Sequence, residues 1–484
     1  MMGNLKPYPA YKDSGVPWLG KVPEHWEVRR TKTLFQSRKQ LNTDGSETNV
    51  LSLTLRGVVS NDPDNPEGLV PKDYKTYQIF EKDDLVFKLI DLENIRTSRV
   101  GLVHEHGIMS PAYVRLTLSG IGDIRFYYQQ FFDLYLRCIY NQIGEGVRST
   151  IGWSDLANVR ILAPPLPEQT AIVRFLDYMD RQIRRSIRAK QKLIKLLEEY
   201  RQALIHHAVT GKIDVRTGQP YPAYKDSGVP WLGKVPEHWE VRRLKRIARL
   251  NPSKAEVPLA LRDGQAVFLP MERVGSDGRF DASEVRPISD LWNGFTYFRR
   301  GDVIVAKITP CFENGKGACL ENLPTAIGFG STEFHVIRPS KAIVTAYLYR
   351  VTTLSEFRRL GTDEMTGAAG QQRVPVEFIA NFPIPLPPLF EQTAIVEYLD
   401  AQTAKLDTAI AAARREIELL REYRERLIAD VVTGKVDVRE VAAQLPDEPP
   451  EEEAELMDTD EIAESEGTDD DAAAEALPEE GVGA

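Results

Sequence analysis

The stretch PPLPEQTAIV at 164–173 returns almost unchanged as PPLFEQTAIV at 387–396, 223 residues later. A second pair, VTGKIDVR at 209–216 and VTGKVDVR at 432–439, has the same offset, so no residue was inserted or lost between the two motifs. The Pro-Glu pair of the first motif suits the first turn of a helix, and the glycine of VTGK suits a C-terminal cap. The two motifs therefore bracket one long helix in each half of the chain.

One apolar stripe runs between the motifs, with spacings of three, four and seven that are typical of a helix close to a coiled-coil seam. Nine of ten stripe positions stay apolar in the second copy, and only Met179, replaced by Gln402, departs. Roughly forty residues at about 1.5 Å each predict a helix about 60 Å long. Because such a helix needs a mate, the two are expected to pair with each other. The expected pairing residues are Ile172, Leu176, Ile183, Leu197, Leu204, Ile395, Leu399, Leu406, Leu420 and Leu427.

A third repeat precedes each variable region. PYPAYKDSGVPWLGKVPEHWEVRR runs from Pro7 to Arg30 and returns without a change from Pro220 to Arg243. Fixed segments thus alternate with changed ones, which indicates a protein that does one job twice with two specificities. The predicted segments are a lead-in at 1–30, a recognition domain at 31–163, a long helix at 164–216, a second lead-in at 217–243, a second recognition domain at 244–386, a distal helix at 387–440 and an acidic tail at 441–484.

The variable blocks have the pattern of mixed α/β domains. Runs such as VLSLTLRGVV, DDLVFKLI and GDVIVAKI lie between turn residues, and helical stretches follow at 126–142 and 342–360. LVFKLID around Lys88 resembles VIVAKIT around Lys307, and SPAYVRL resembles STEFHVI. We expect one fold with two different surfaces, in an α+β chain with a pseudo-two-fold internal repeat.

Charge is distributed unevenly along the chain. Residues 441–484 contain 17 Asp and Glu and no Lys or Arg, which predicts a disordered tail. Without those 17, the 71 acidic residues fall to 54 against 61 basic ones, so residues 1–440 carry a net charge of +7. A mildly basic folded part permits a polyanionic partner.

Composition bounds the compartment. No run of about 18 apolar residues is present, so no membrane span is expected. The N-terminal residues lack the apolar core of a signal peptide. Cys138, Cys311 and Cys319 form no CxxC pair, so no disulfide framework is expected. A reducing bacterial or archaeal cytoplasm fits these features.

Motifs for catalysis fail at their defining residues. IGFGSTEF at 327–334 lacks the second glycine and the preceding acid of an S-adenosylmethionine loop, and FENGKG at 312–317 lacks the GxxxxGK[ST] of a phosphate loop. The close histidine pairs have no neighbouring ligands at metal-binding spacing. We therefore predict no catalytic residue and no metal site in this chain.

The lead-in SGVPWLGKVPEHWEVRR, the helix starts PLPEQTAIVRFLD and PLFEQTAIVEYLD, and the stretches GDVIVAKITPCFENGKGA and GFGSTEFHVIRP resemble the specificity (S) subunit of type I restriction-modification enzymes. The resemblance covers residues 1 to about 440, with both halves in register, and leaves out the acidic tail. It implies two DNA-recognition domains joined and separated by two long antiparallel coiled-coil helices, each domain reading half of a split double-stranded site. It also implies two modification subunits, which bring S-adenosylmethionine, and restriction subunits, which bring ATP and Mg. The S subunit itself would be non-catalytic and would carry no cofactor.

Candidate contact residues follow from the chemistry of recognition. Phosphates are bound by Lys, Arg and backbone amides, whereas base edges are read by Arg, Asn, Gln and hydroxyls. The glycine-containing stretches TGAAGQQRV at 366–374 and GEGVRSTIGW at 144–153 are the first choice. The predicted DNA-binding residues are Lys88, Arg96, Arg99, Arg148, Ser149, Thr150, Lys307, Thr309, Asn314, Lys316, Gln371, Gln372 and Arg373. The tryptophans of the lead-ins, Trp18, Trp26, Trp231 and Trp239, are candidate partner contacts, with core packing as an equal alternative.

Two other functions remain open on the sequence. The chain could serve another DNA-modifying defence complex, or a methyltransferase without a restriction partner. It could also be a coiled-coil scaffold that binds no DNA, although the basic balance of residues 1–440 disfavours that interpretation.

Overall fold

The structure is a computed structural model that describes residues 5–54, 57–61, 74–89, 99–143, 151–368 and 370–446. The chain divides into two compact units, one formed by 1–187 with 418–484 and the other by 188–417. The first unit therefore combines the start of the chain with its end. Over the ranges just given, no helix has the length and apolar character that a membrane span requires.

The first unit is built on short strands and a few helices. Its strands are β1 (Tyr11–Asp13), β2 (Lys21–Pro23), β3 (Glu27–Arg30), β4 (Phe35–Gln36), β5 (Leu51–Thr54), β6 (Gly57–Ser60), β7 (Gln78–Phe80), β8 (Leu85–Phe87), β9 (Val100–Leu102), β10 (Gly107–Met109), β11 (Val114–Leu118) and β12 (Arg160–Ala163). Its helices are α1 (Ile124–Leu136), α2 (Ile139–Ile143), α3 (Trp153–Leu156) and the first part of α4 (Leu166–Val209). An antiparallel sheet of order β4-β11-β8-β9 forms its centre, and β5-β6 and β10-β7 are separate pairs.

The second unit repeats this plan and extends it. Its strands are β13 (Tyr224–Asp226), β14 (Lys234–Pro236), β15 (Glu240–Arg243), β16 (Ala248–Leu250), β17 (Gln265–Leu269), β18 (Val285–Pro287), β19 (Thr296–Arg299), β20 (Val303–Ala306), β21 (Gly317–Cys319), β22 (Ile327–Gly330), β23 (Phe334–Pro339) and β24 (Pro383–Leu386). The helices that follow are α5 (Ile288–Leu291), α6 (Thr345–Thr352), α7 (Ser355–Asp363), α8 (Val376–Asn381), α9 (Leu389–Val432) and α10 (Arg439–Ala443). The part of α9 from residue 418 onward, and α10, belong to the first unit. The order β16-β23-β20-β21 matches the central sheet of the first unit, and a mixed sheet β18-β17-β22-β19 is added.

Each recognition block is closed where it meets the fixed segments. In the first unit β3 of the lead-in pairs with β12, which directly precedes α4. In the second unit β15 pairs with β24, which directly precedes α9. The backbone therefore enters and leaves each block through one two-stranded ribbon. This explains how blocks of different length fit between identical segments.

The two long helices confirm the prediction from the repeated motifs. Both α4 and α9 contain 44 residues, which corresponds to about 66 Å at about 1.5 Å per residue. Each helix ends on a glycine in the left-handed region, Gly211 with φ 72° and Gly434 with φ 74°. The Lys212 amide donates to the His207 carbonyl at 2.9 Å, and the Lys435 amide to that of Asp430 at 2.9 Å, the longer hydrogen bond of a Schellman cap.

Within each unit the helices run antiparallel. In the second unit Lys190 Nζ lies 2.5 Å from Glu416, and Arg201 forms an ion pair with Asp407. In the first unit Arg424 forms an ion pair with Asp180. The buried members of the predicted pairing set are Ile172, Leu176, Ile183, Ile395, Leu399, Leu406 and Leu427. Leu197, Leu204 and Leu420 are partly buried.

The end of the folded chain differs from the prediction. The acidic tail was placed from residue 441, but α10 continues to Ala443, and Ala442 and Leu445 are buried in the apolar cluster of the first unit. Arg174 of α4 donates a hydrogen bond to the Leu445 carbonyl. The apolar letters VAAQL, which precede the first acid, are thus part of the fold, and 447–484 lie outside the described residues.

Candidate nucleic-acid interface

Three segments of the second unit meet beyond the end of β20. The Lys307 amide donates to the Glu333 carbonyl at 2.9 Å, and the Val374 amide donates to the Lys307 carbonyl at 2.8 Å. Thr309 holds Gln372 through two hydrogen bonds. The Thr309 amide donates to the Gln372 carbonyl at 3.0 Å, and the Thr309 Oγ1 accepts from the Gln372 amide at 3.1 Å. The structure thus brings together five predicted DNA-binding residues: Lys307, Thr309, Gln371, Gln372 and Arg373. We call this set, with Glu333, the 307–373 cluster.

The side chain of Arg373 forms a two-point ion pair with Glu333. Its Nε and Nη2 donate to the two carboxylate oxygens of Glu333, each at 2.9 Å. Its Nη1 donates to the Gln371 carbonyl at 3.2 Å. The side chain is nevertheless 44% exposed, against 24% for Glu333. Hydrogen bonds from Arg373, with the charge of nearby Lys307, hold the pKa of Glu333 below its ordinary value, so the pair is ionic at neutral pH.

The remaining candidates of this unit lie on the loop between β20 and β21. Asn314 is exposed, and its amide donates to the Pro310 carbonyl at 2.9 Å. Lys316 is half-buried, with Nζ 3.3 Å from the Met271 carbonyl. The bond to Met271 uses one of the three N–H donors of the Lys316 ammonium group.

Most of the DNA-binding residues predicted in the first unit lie outside the described residues. These are Arg96, Arg148, Ser149 and Thr150. Lys88 is partly exposed directly after β8. Arg99 was predicted to contact DNA, but it is only 2% exposed. In this conformation Arg99 does not present its side chain to a phosphate, and a DNA contact by Arg99 stays a prediction.

The hydrogen bonds of the two central sheets determine which residues of the two units correspond. The Ile151 amide donates to Leu89 and the Val374 amide donates to Lys307, so Leu89, and not Lys88, occupies the position of Lys307. Arg99 corresponds to Lys316 by the same reasoning, since their carbonyls accept from Lys88 and Ala306. The two lysines therefore lie one position apart in the common fold, although both follow a β-rich run.

The lead-in tryptophans form two equivalent buried sites. Trp26 and Trp239 are fully buried, and their indole N–H groups donate to Glu168 at 2.8 Å and to Glu391 at 2.9 Å. They pack in the core and cannot contact a partner in this conformation, so the alternative of core packing is correct for them. Trp18 and Trp231 are partly exposed, and Trp231 stacks on Phe382 with ring centroids 5.2 Å apart.

Glu168 and Glu391 were not singled out from the sequence. Each begins a long helix yet is 3–4% exposed. Glu168 also contacts His25 at 2.9 Å and Arg439 at 3.2 Å, which ties α4, the lead-in and the end of the chain together. The identical EQTAIV in both copies was the available signal, but identity alone does not distinguish a buried carboxylate from an exposed one.

Comparison with known proteins agrees with this architecture. The chain is 38% identical over 186 residues to the specificity subunit of type I restriction enzyme EcoAI from Escherichia coli, which covers 38% of this chain and 30% of that protein. It is 40% identical over 168 residues to the EcoEI specificity subunit from Escherichia coli, covering 34% and 27%. A putative MjaX specificity subunit from Methanocaldococcus jannaschii is 21% identical over 460 residues, covering 87% of this chain and 96% of that protein. The matched region thus spans about three tenths of the length of the two Escherichia coli relatives.

A solved chain has the same fold. It comes from work on complex assembly and conformational transition of the type I R-M system and matches with a TM-score of 0.60 at 14% identity, covering 85% of this chain and 98% of that chain. The family model of the type I restriction modification DNA specificity domain matches residues 23–196 and again 236–419. The two matches together span well over half of the chain, once for each repeated half, and the chain belongs to the family of type I restriction modification DNA specificity domains.

Proposed function

We propose that this chain is the DNA-binding specificity subunit of a type I restriction-modification complex, in which each recognition block reads one half of a split double-stranded site. The observation that carries the proposal is the double match of the specificity-domain family, over 23–196 and 236–419. Both halves therefore contain a recognition domain of the same family. The net charge of +7 in residues 1–440 supports a polyanionic ligand.

The division between shared and changed structure supports two different half-sites. Both units have the same central four-stranded sheet. They differ around it, since the second unit alone has the mixed sheet β18-β17-β22-β19 within the described residues. Two surfaces that read different bases must differ, whereas the scaffold that positions them can remain the same.

Partner subunits supply the chemistry in this proposal. Two modification subunits would bring S-adenosylmethionine, and restriction subunits would bring ATP and Mg, in the cytoplasm, while this chain would be non-catalytic. A repeated apolar feature supports a partner that docks twice. Leu196 and Leu419, 223 positions apart, are 52% and 45% exposed on α4 and α9. Leu193 and Tyr200, one turn to either side of Leu196, are 42% and 55% exposed.

The test is reconstitution with a methyltransferase subunit of a type I restriction-modification system. The full chain should bind duplex DNA with an affinity that falls linearly in log–log form as salt rises. It should transfer no methyl group alone, and methylation of one split motif should appear when the methyltransferase is added. Methyl transfer by the pure chain, or absence of any salt-dependent DNA binding by the reconstituted complex, would contradict the proposal. Modification without any restriction activity would identify a methyltransferase-only complex.

A further inference from the structure

The Glu333–Arg373 pair has a geometry suited to reading one particular base. A guanidinium group carries five N–H bonds. Glu333 accepts from Nε and Nη2, and the Gln371 carbonyl accepts from Nη1. Two N–H bonds therefore remain, one on each terminal nitrogen, on a side chain that is 44% exposed. In the major groove, guanine presents two acceptors, O6 and N7, that match such a pair of donors.

The backbone that carries Arg373 is held on both sides. Its amide donates to the Thr366 carbonyl at 2.9 Å, and the Thr366 amide returns a bond to the Arg373 carbonyl at 3.0 Å. The neighbouring Gln372 is fixed by its two hydrogen bonds to Thr309. With the backbone and the Nε edge both fixed, little side-chain freedom is left to lose when a base is bound.

The internal repeat provides a comparison within the same chain. His335 of β23 pairs with Val305 of β20, and Val114 of β11 pairs with Phe87 of β8. Val305 and Phe87 occupy equivalent positions in the two central sheets. Two residues before His335 and Val114, Glu333 and Ala112 are therefore equivalent as well. The offset of 223 that relates Ile151 to Val374 aligns Thr150 with Arg373 in sequence. At these aligned positions the second block has Glu333 and Arg373, whereas the sequence of the first block has Ala112 and Thr150. A carboxylate retained only to stabilise the shared fold would be expected in both blocks.

We propose that Glu333 is a positioning residue that presents the two remaining N–H bonds of Arg373 to a guanine in the half-site read by the second unit. This inference rests on the proposed function, since it names the base that one recognition domain selects. It assigns the carboxylate to specificity, where a half-exposed ion pair adds little stability. It also predicts that the first unit does not select guanine by this device.

The experiment measures specificity one base pair at a time. Wild type, Arg373→Ala, Arg373→Lys, Glu333→Ala and Glu333→Gln, each in the complete complex with its methyltransferase, would be compared by competition binding to duplexes that carry every single substitution in the site. The methylated motif in cells carrying each variant would be recovered by long-read sequencing. Arg359→Ala is the matched control, because Arg359 is 63% exposed, lies in the same unit outside the cluster and pairs with Asp363.

We expect Arg373→Ala to lose about 5- to 150-fold discrimination at one G·C pair of the second half-site. Glu333→Ala should lose discrimination at that same pair by a smaller factor, with Glu333→Gln between it and the wild type. Arg373→Lys should restore little of the loss, since a flexible ammonium group lacks the planar fork that Glu333 holds in one orientation. Arg359→Ala should leave all positions unchanged.

Three results would overturn the inference: a second half-site without guanine, equal loss at every position in Glu333→Ala, or unchanged discrimination in Arg373→Ala. In each of these the complex still binds a specific site, so the proposed function stands. Absence of any sequence-specific binding by the wild-type complex would instead refute the proposed function itself.

Discussion

Replacement of Gly434 by alanine tests whether the end of the chain completes the first unit. Gly434 caps α9 with φ 74° and lies against the first lead-in. A Cβ at this position would lie 2.5 Å from Pro23 Cδ and 3.1 Å from Trp26 Cζ3. Pro23 is 411 positions away in sequence, and Trp26 is fully buried. The substitution would therefore disturb a contact between the two ends of the chain.

Two costs add at Gly434. A residue with a Cβ in the left-handed region costs about 1–2 kcal/mol, and overpacking a well-filled core costs typically about 1–3 kcal/mol. We expect Gly434→Ala to destabilise the first unit by about 2–5 kcal/mol. Gly20→Ala is the matched control, since Gly20 has φ 64° and no atom within 4 Å of its Cβ position. It should lose only the conformational cost of about 1–2 kcal/mol.

Amide hydrogen exchange read by mass spectrometry measures each unit separately. Gly434→Ala should lower protection in peptides from 5–187 and 418–446 and leave 188–417 unchanged. Gly211→Ala should do the reverse, because its Cβ would lie 2.4 Å from Pro236 Cδ in the second unit. The reasoning is refuted if Gly434→Ala costs no more than Gly20→Ala, or if either substitution lowers protection in both units equally.

Three further predictions follow from the described contacts. Trp26→Phe should destabilise the first unit by about 1–3 kcal/mol in denaturant titrations, because buried Glu168 loses a donor; Trp18→Phe should cost less, since within the described part of the chain Trp18 Nε1 has no hydrogen-bond partner. Leu196→Asp and Leu419→Asp should each reduce the number of methyltransferase subunits bound per chain, as measured by native mass spectrometry. DNA binding by the free chain should persist in both variants. Full stoichiometry in both would exclude the exposed leucines of α4 and α9 as the docking surface. Hydrogen bonding to Glu81, with Glu47 nearby, raises the pKa of His106, so its ion pairs stabilise the fold fully below the ordinary histidine pKa and are lost as pH rises through the raised value. The difference in unfolding free energy between wild type and His106→Asn should therefore shrink from pH 5.5 to pH 8.5, from a value below about 1 kcal/mol because the ring is half-exposed. A difference that stays constant over this range would contradict the prediction.

The sequence predicted the elements whose information is local and repeated. The long helices follow from a periodic stripe and from caps that recur at one offset, and their observed ends, Leu166–Val209 and Leu389–Val432, lie inside the predicted segments. The run LVFKLID and its counterpart VIVAKIT became β8 and β20, because β-rich residues between turns leave few alternatives. Lys307 and Thr309, which follow β20, were also brought next to 371–373, through hydrogen bonds between the two loops.

What the sequence could not predict depends on contacts between distant residues. Arg99 resembles an exposed strand-end charge, yet it is buried, and no local pattern distinguishes the two cases. Glu168 resembles an ordinary first-turn acid until the lead-in, about 140 residues earlier, places Trp26 on it at 2.8 Å.

The same limit applies to the recognition surface, where it has a functional consequence. Arg373 was predicted as a base-reading residue from its own loop, but Glu333, which binds it, lies 40 positions away on a different segment. A guanidinium group alone can bind a phosphate or several bases, and a carboxylate that occupies its Nε edge leaves only the terminal N–H pair. In the proposed arrangement, the choice of base is therefore a property of both segments together. Exchanging loop 366–374 between related chains should therefore transfer specificity only when residue 333 is exchanged as well. The loop exchanged by itself should not transfer it.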